Sequence, residues 1–288
     1  MVNIFLGAFL LIHFQKNKVV IDKVKDFDLV ETFNCGQCFR WNQVEENVFV
    51  GVAFGRVLRI CMEGTKIILS GNSVAHDYEQ IWKNYFDFDT NYEQVRSQLS
   101  TLDDNLQKAC KYASGIRILQ QEPWETLCSF IISQNNNIPR IKGIIEHLCA
   151  HWGKELEPGY FSFPSCETLA KLNAESLSVI KCGFRDKYII DAARKVASGS
   201  VSLDTIRSLP LEMARTELMK IKGVGPKVAE CTLLYGFHRF EAFPIDVWMK
   251  RAMDSLFPGK KPEHFGEYAG IAQQYIFHYT RMNPNLVK

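Results

Sequence analysis

A change in the period of the apolar residues constrains this chain more than any other feature. Residues 48–70 read VFVGVAFGRVLRICMEGTKIILS, three runs rich in β-branched and aromatic residues, broken at Gly55-Arg56 and Glu63-Gly64. Short runs separated by turn residues predict a small antiparallel meander. Beyond about Asp77 the period lengthens from two to 3.6 and stays there. Ile141, Ile144, Ile145, Leu148 and Trp152 follow Pro139 on one helical face, with the proline in the first turn. Further helices are predicted over 124–133, 177–181, 186–197, 211–220, 226–237, 247–257 and 264–279. The fold class is therefore α+β: an N-terminal antiparallel β-sheet domain over 21–118, then a two-part helical region over 119–288, with residues 1–20 read as an N-terminal extension.

Composition removes several classes of protein. At 47% hydrophobic and 23% charged residues, the chain is neither disordered nor low in complexity. Thirty-four Lys and Arg against 32 Asp and Glu leave a net charge of +2, which excludes a histone-like protein but permits local basic patches. The nine cysteines lack the even spacing of a disulfide framework and predict reduced thiols in an intracellular protein. The apolar stretch 4–14, IFLGAFLLIHF, is well short of the roughly 18 residues of a spanning helix. No Lys or Arg precedes it, as a signal peptide would require.

Chemistry concentrates between two helical patterns, in Leu218-Met219-Lys220-Ile221-Lys222-Gly223-Val224-Gly225-Pro226-Lys227-Val228-Ala229. Gly223 and Gly225 allow a tight hairpin and leave backbone N–H groups uncovered, and Pro226 opens the next helix where a missing N–H costs nothing. A phosphate can sit against such N–H groups. Standing alone, Gly-x-Gly is only a helix–helix turn. Lys227 in the first turn of an apolar helix opposes the helix dipole and is a poor choice for stability. In its neutral form such an amine is a nucleophile. Nineteen residues later, within Phe243-Pro244-Ile245-Asp246-Val247-Trp248, comes Asp246. By itself, Asp246 reads as a helix N-cap.

Lys227 and Asp246, taken with the hairpin over about 211–237, resemble the helix-hairpin-helix DNA glycosylases, and within that superfamily the 8-oxoguanine DNA glycosylase/AP lyases. The likeness spans about residues 25–282 through four further segments: Cys35-Gly36-Gln37-Cys38-Phe39-Arg40-Trp41, Ser133-Gln134-Asn135-Asn136-Asn137-Ile138-Pro139-Arg140, Gly183-Phe184-Arg185, and Tyr268-Ala269-Gly270-Ile271-Ala272-Gln273 running to Phe277. Five ordered segments are specific where one hairpin would not be.

The resemblance implies a base-flipping repair enzyme whose partner is double-stranded DNA containing 8-oxoguanine. Lys227 would attack C1′ while Asp246 stabilises the developing positive charge, and the resulting Schiff base would undergo β-elimination. The Gly36 carbonyl would accept the N7 hydrogen present in 8-oxoguanine and absent in guanine, a difference that discriminates strongly. Gln273 would bind the Watson–Crick edge, with Phe277 and Cys231 sandwiching the base. Asn135 and its neighbours resemble the plug, Phe184 the wedge, and Arg140 and Arg185 the contacts to the estranged cytosine. Without the likeness, the arginines would read as solvated surface groups, Phe184 as core packing and Cys231 as a buried structural thiol.

No organic cofactor is expected. A monovalent cation at hairpin carbonyls such as those of Met219, Ile221 and Val224 is implied by relatives. The protein is expected to be a monomer, away from membranes, intracellular and DNA-associated, in the cytoplasm or nucleoid if its source is a prokaryote. Cys35-Gly36-Gln37-Cys38 has redox-like spacing but lacks βαβ surroundings. His147 and His151 lack the glutamate of HExxH, and no cysteine follows Cys231 to hold an iron–sulfur cluster of the endonuclease III kind. Two rival readings are a non-catalytic helix-hairpin-helix module, which needs neither Lys227 nor Asp246, and a monofunctional glycosylase for alkylated bases, which needs no lysine. Two positions depart from the eukaryotic pattern: Phe184, where tyrosine is usual, and Trp248, where a histidine commonly helps hold a phosphate.

Overall fold

The computed structural model describes residues 3–6 and 10–287. Its N-terminal part is a seven-stranded antiparallel sheet of β1 (Asn3–Leu6), β2 (Leu10–Gln15), β3 (Lys18–Asp22), β4 (Trp41–Glu45), β5 (Val48–Ala53), β6 (Arg56–Glu63) and β7 (Lys66–Ser70). The spatial order is β1-β2-β3-β7-β6-β5-β4. The predicted meander is β5–β7. Its first turn places Phe54 and Gly55 at φ +51° and +64°, as a two-residue hairpin of matching twist requires.

Residues 1–20, expected as an extension, form β1, β2 and the start of β3 where they are described, with a turn at Lys16-Asn17. β3 pairs with β7 from Lys18↔Ser70 to Ile21↔Ile67, and β2 pairs with β3. Ile12, Val19 and Ile21 are fully buried in the core that covers the sheet with Phe33, Trp41, Phe49, Tyr78 and Trp82. That burial is the physical reason an apolar run with no helical period belongs here, though its partner strand lies some fifty residues further on. Residues 7–9 lie outside the described residues.

Two helices before the expected boundary at 118 pack with the helical region. Helices Tyr92–Ser100 and Asp104–Tyr112 send Tyr92, Val95, Leu99, Leu106 and Cys110 into the helical core, and not into the core under the sheet. The chain returns through Arg117–Gln121 to the helix Pro123–Ser133, which packs on the helix Pro226–Gly236. Gly236 permits this approach, since a Cβ there would stand 3.0 Å from Pro123 Cα, and Phe130 stacks on Tyr235 at 5.4 Å. The helices expected after Pro139 and at 186–197 are Ile138–Trp152 and Asp186–Ala197. The last helix starts later than its apolar pattern suggests. A short turn over Pro262–Tyr268 breaks at Gly266, φ +66°, before Ala269–Met282 begins. Among the described residues no helix is long and apolar enough to cross a membrane.

Candidate active site

The hairpin joins the helices Leu211–Leu218 and Pro226–Gly236. Gly223 sits at φ +82°, and a Cβ there would fall 2.4 Å from the Tyr188 ring, so both conformation and space demand glycine. The hairpin is tied to the helix Asp186–Ala197: the Lys222 N–H donates to Asp191 at 2.7 Å, and Lys195 Nζ to the Lys220 carbonyl at 2.6 Å. Gly225 is the N-cap of the following helix and puts no side chain over its first N–H groups. That leaves them for an anion.

Lys227, half-buried in the first turn, donates from Nζ to Ser133 Oγ at 3.4 Å and lies 4.9 Å over the Phe130 ring. One turn on, Cys231 is buried; desolvation pushes its thiol up to about 11, with the Lys227 charge opposing and Asp246 reinforcing. Asp246 is the N-cap of the helix Val247–Leu256, accepting the Met249 N–H at 2.7 Å. The bland reading of Asp246 is thus correct and incomplete, because the same carboxylate lines a pocket with Lys227, Cys231, Gly36, Gln273 and Phe277. All six residues expected around the reacting sugar and base meet there.

Gln273 carries the most informative polar atom. It is 4% exposed, and its Oε1 has no hydrogen-bond partner among the described residues. A buried carbonyl left in that state costs about 1–3 kcal/mol, so the pocket is incomplete without a donor from outside the chain. Gly36, at φ +89°, is presented by a fixed loop. Next to it Gln37 is fully buried, donating to the Thr32 and Arg117 carbonyls at 2.9 and 2.8 Å and accepting the Leu119 N–H at 2.9 Å. Gln274 reaches the Cys35 carbonyl at 3.2 Å and accepts the Tyr235 hydroxyl. Cys35 and Cys38 are buried free thiols, Cys35 pushed up to about 12 by desolvation, a poor environment for a thiolate.

Beside the pocket, Asn135 holds φ +52° at the exposed tip of its turn, a conformation asparagine tolerates. Asn137 caps the helix Ile138–Trp152 through the Arg140 N–H at 3.0 Å, and the Arg140 side chain is exposed. Phe184 is 49% exposed, which removes the core-packing reading and suits a wedge. Arg185 departs from the solvated-surface reading. It is 3% exposed and donates to the carbonyls of Gln134, Asn135 and Cys182 while lying 4.4 Å over the Phe184 ring. Burial and then the Arg140 charge lower its pKa. Arg185 links Phe184 to the asparagine turn and is not a solvated surface group. The Trp248 N–H is also committed, donating to Thr280 Oγ1 at 3.0 Å, with Arg281 stacked 5.1 Å over the ring.

Phe130, Tyr235, Pro244 and Gln274 line the pocket without having been singled out in the sequence. For Tyr235 a signal existed: it stands four residues after Cys231 and eight after Lys227, on the same helical face. Phe130 and Pro244 show no such pattern.

Residues 19–127 match the family described as 8-oxoguanine DNA glycosylase, N-terminal domain, and residues 128–267 the HhH-GPD superfamily base excision DNA repair protein. A solved structure of MBOgg1 in complex with a low-affinity DNA ligand is 41% identical, with a TM-score of 0.91 over 96% of this chain and 99% of that one. The Clostridium acetobutylicum 8-oxoguanine glycosylase/lyase, bound to double-stranded DNA with cytosine opposite 8-oxoG, is 36% identical, with a TM-score of 0.88 over 95% and 98%. The Saccharomyces cerevisiae N-glycosylase/DNA lyase is 42% identical over 152 residues, 48% of this chain and 40% of the yeast protein. With both halves of the chain matched in order and the glycosylase pocket assembled between them, this chain belongs to the 8-oxoguanine DNA glycosylase family of the HhH-GPD superfamily.

Proposed function

We infer that this chain is a bifunctional DNA repair enzyme, an N-glycosylase and abasic-site lyase, that excises 8-oxoguanine from double-stranded DNA and prefers cytosine opposite the lesion. One observation carries the chemistry: an amine, Lys227, and a carboxylate, Asp246, share a pocket with the buried, unpartnered Gln273 carbonyl. The flipped base enters between Cys231 and Phe277, donates its N7 hydrogen to the Gly36 carbonyl and satisfies Gln273. The C1′–N9 bond breaks with its electron pair leaving on the base, and the Asp246 carboxylate stabilises the positive sugar. The Lys227 amine, giving up a proton, forms the new bond at C1′; opening of the C1′–O4′ bond gives the imine, and loss of a C2′ proton then expels the 3′ phosphate by β-elimination.

The open N–H groups after Gly225 support phosphate binding at the hairpin. Lys195 at the Lys220 carbonyl supports the view that this hairpin attracts cations, and a monovalent ion at the Met219, Ile221 and Val224 carbonyls is proposed on that ground. Arg140, exposed beside Asn135, is the freer of the two cytosine contacts. Arg185 brings to that face only what its carbonyl clamp leaves, a second hydrogen on Nη1. The enzyme acts inside the cell, at the DNA.

The test is excision from duplexes carrying one 8-oxoguanine opposite each of the four bases, with free base and strand cleavage read separately and a guanine duplex as control. Release of 8-oxoguanine is expected fastest opposite cytosine, by roughly fivefold or more if one contact supplies 1–3 kcal/mol. Arg140→Ala should slow the cytosine duplex most. No release from any duplex contradicts the function; equal rates opposite all four bases contradict the cytosine preference.

A further inference from the structure

Lys227 and Asp246 come from different segments, and something must fix the gap between them. Glu230 follows Lys227 by three residues on the same helix and is 6% exposed. Its Oε2 accepts the Phe243 N–H at 2.6 Å, and its Oε1 accepts Arg215 Nε from the helix Leu211–Leu218. Phe243 begins the short loop that ends at Asp246 and is further held by stacking of its ring on Phe265 at 5.3 Å. At the other end of that loop, Asp246 is fixed as the cap of its own helix. One buried carboxylate therefore ties together both helices of the hairpin and the loop that delivers the aspartate.

We propose that Glu230 is the positioning residue that sets the Lys227–Asp246 geometry, acting through the Phe243 N–H and held in turn by Arg215. The inference rests on the reading of Lys227 and Asp246 given above. A carboxylate has an oxygen for each of the two donors, whereas the isosteric amide has only one. In Glu230→Gln either the Phe243 N–H or Arg215 loses its acceptor, and a buried N–H without an acceptor moves to find one. Displacing a reacting group by as little as about 1 Å can cost on the order of a hundredfold in rate.

The experiment is single-turnover excision on an 8-oxoguanine:cytosine duplex by wild type, Glu230→Gln, Asp246→Asn and the double variant, with DNA affinity and Tm measured alongside. Glu230→Gln is expected to slow excision about 10- to 100-fold while DNA affinity stays within about threefold. On the Asp246→Asn background it should cost less than about threefold, because the group being positioned has already been disabled. A purely structural role predicts a lower Tm with an unchanged rate per folded molecule, or the same factor on both backgrounds, and either result overturns the proposal. If Glu230→Gln is recovered unfolded, Glu230→Asp replaces it, keeping both oxygens on a stem one methylene shorter; excision at the wild-type rate then overturns the proposal. An active wild type with an equally active Glu230→Gln sinks this inference alone. A wild type with no excision overturns the functional reading, and this inference with it.

Discussion

On the proposed mechanism, Asp246 serves the fold and the chemistry with different parts of its character. Its Oδ1 caps Met249, a task asparagine performs about as well. Only the negative charge is specific to the developing positive sugar. Asp246→Asn should therefore leave Tm nearly unchanged and DNA binding modestly reduced, while base release slows by about a hundredfold or more in single-turnover kinetics. A rate within roughly tenfold of wild type would reduce Asp246 to its capping role. The identities of such residues were legible in the sequence; their commitments were not. Nothing in Gly183-Phe184-Arg185 announces that the arginine is buried and the phenylalanine exposed, because two of the three carbonyls that Arg185 meets belong to the Gln134-Asn135 turn some fifty residues away.

The hairpin was the most readable element, since local chemistry dictates it. Gly223 and Gly225 nevertheless answer to different constraints. At Gly223 a methyl group meets a positive φ, costing about 1–2 kcal/mol, and the Tyr188 ring, where overpacking typically costs 1–3. Gly225 lies at φ −97°, and a Cβ added there would have nothing within 4 Å. Gly223→Ala should lower stability in denaturant titrations by roughly 2 kcal/mol or more, and Gly225→Ala by less than about 0.5. Equal effects would mean that the hairpin is not seated on Tyr188. Elements held by distant partners were harder to read. β2 and β3 find their place through β7, and the final helix starts late because Gly266 turns the chain where the apolar pattern alone continues.

Across the whole molecule, the sheet and the helical core are joined by buried polar groups as well as by apolar packing. Arg40, just before β4, meets Glu125 of the helix Pro123–Ser133 at 3.3 Å. Desolvation pushes Glu125 up to about 7, with Arg40 opposing and Glu122 adding to the rise. A carboxyl whose pKa is higher folded than unfolded contributes stability that is full below its ordinary value of 4.5 and is lost as pH rises through about 7. Denaturation midpoints for wild type should fall between pH 5 and 8, and Glu125→Gln should remove much of that fall; superimposable pH profiles would contradict the assignment. This junction, and the packing of Tyr92–Ser100 and Asp104–Tyr112 into the helical core, could not be read from periodicity, which reports which face of a helix is apolar and not which of two cores receives it.

The central claim is that Lys227 is the nucleophile, and covalent trapping tests it most directly. Wild type incubated with an 8-oxoguanine:cytosine duplex and borohydride should give a stable protein–DNA adduct, because reduction fixes the imine carbon–nitrogen bond. Lys227→Gln should still bind the lesion duplex and give no adduct, no free base and no cleaved strand. An undiminished adduct in Lys227→Gln would place the nucleophile elsewhere, with Lys222 in the same hairpin the first residue to examine, and would contradict the account.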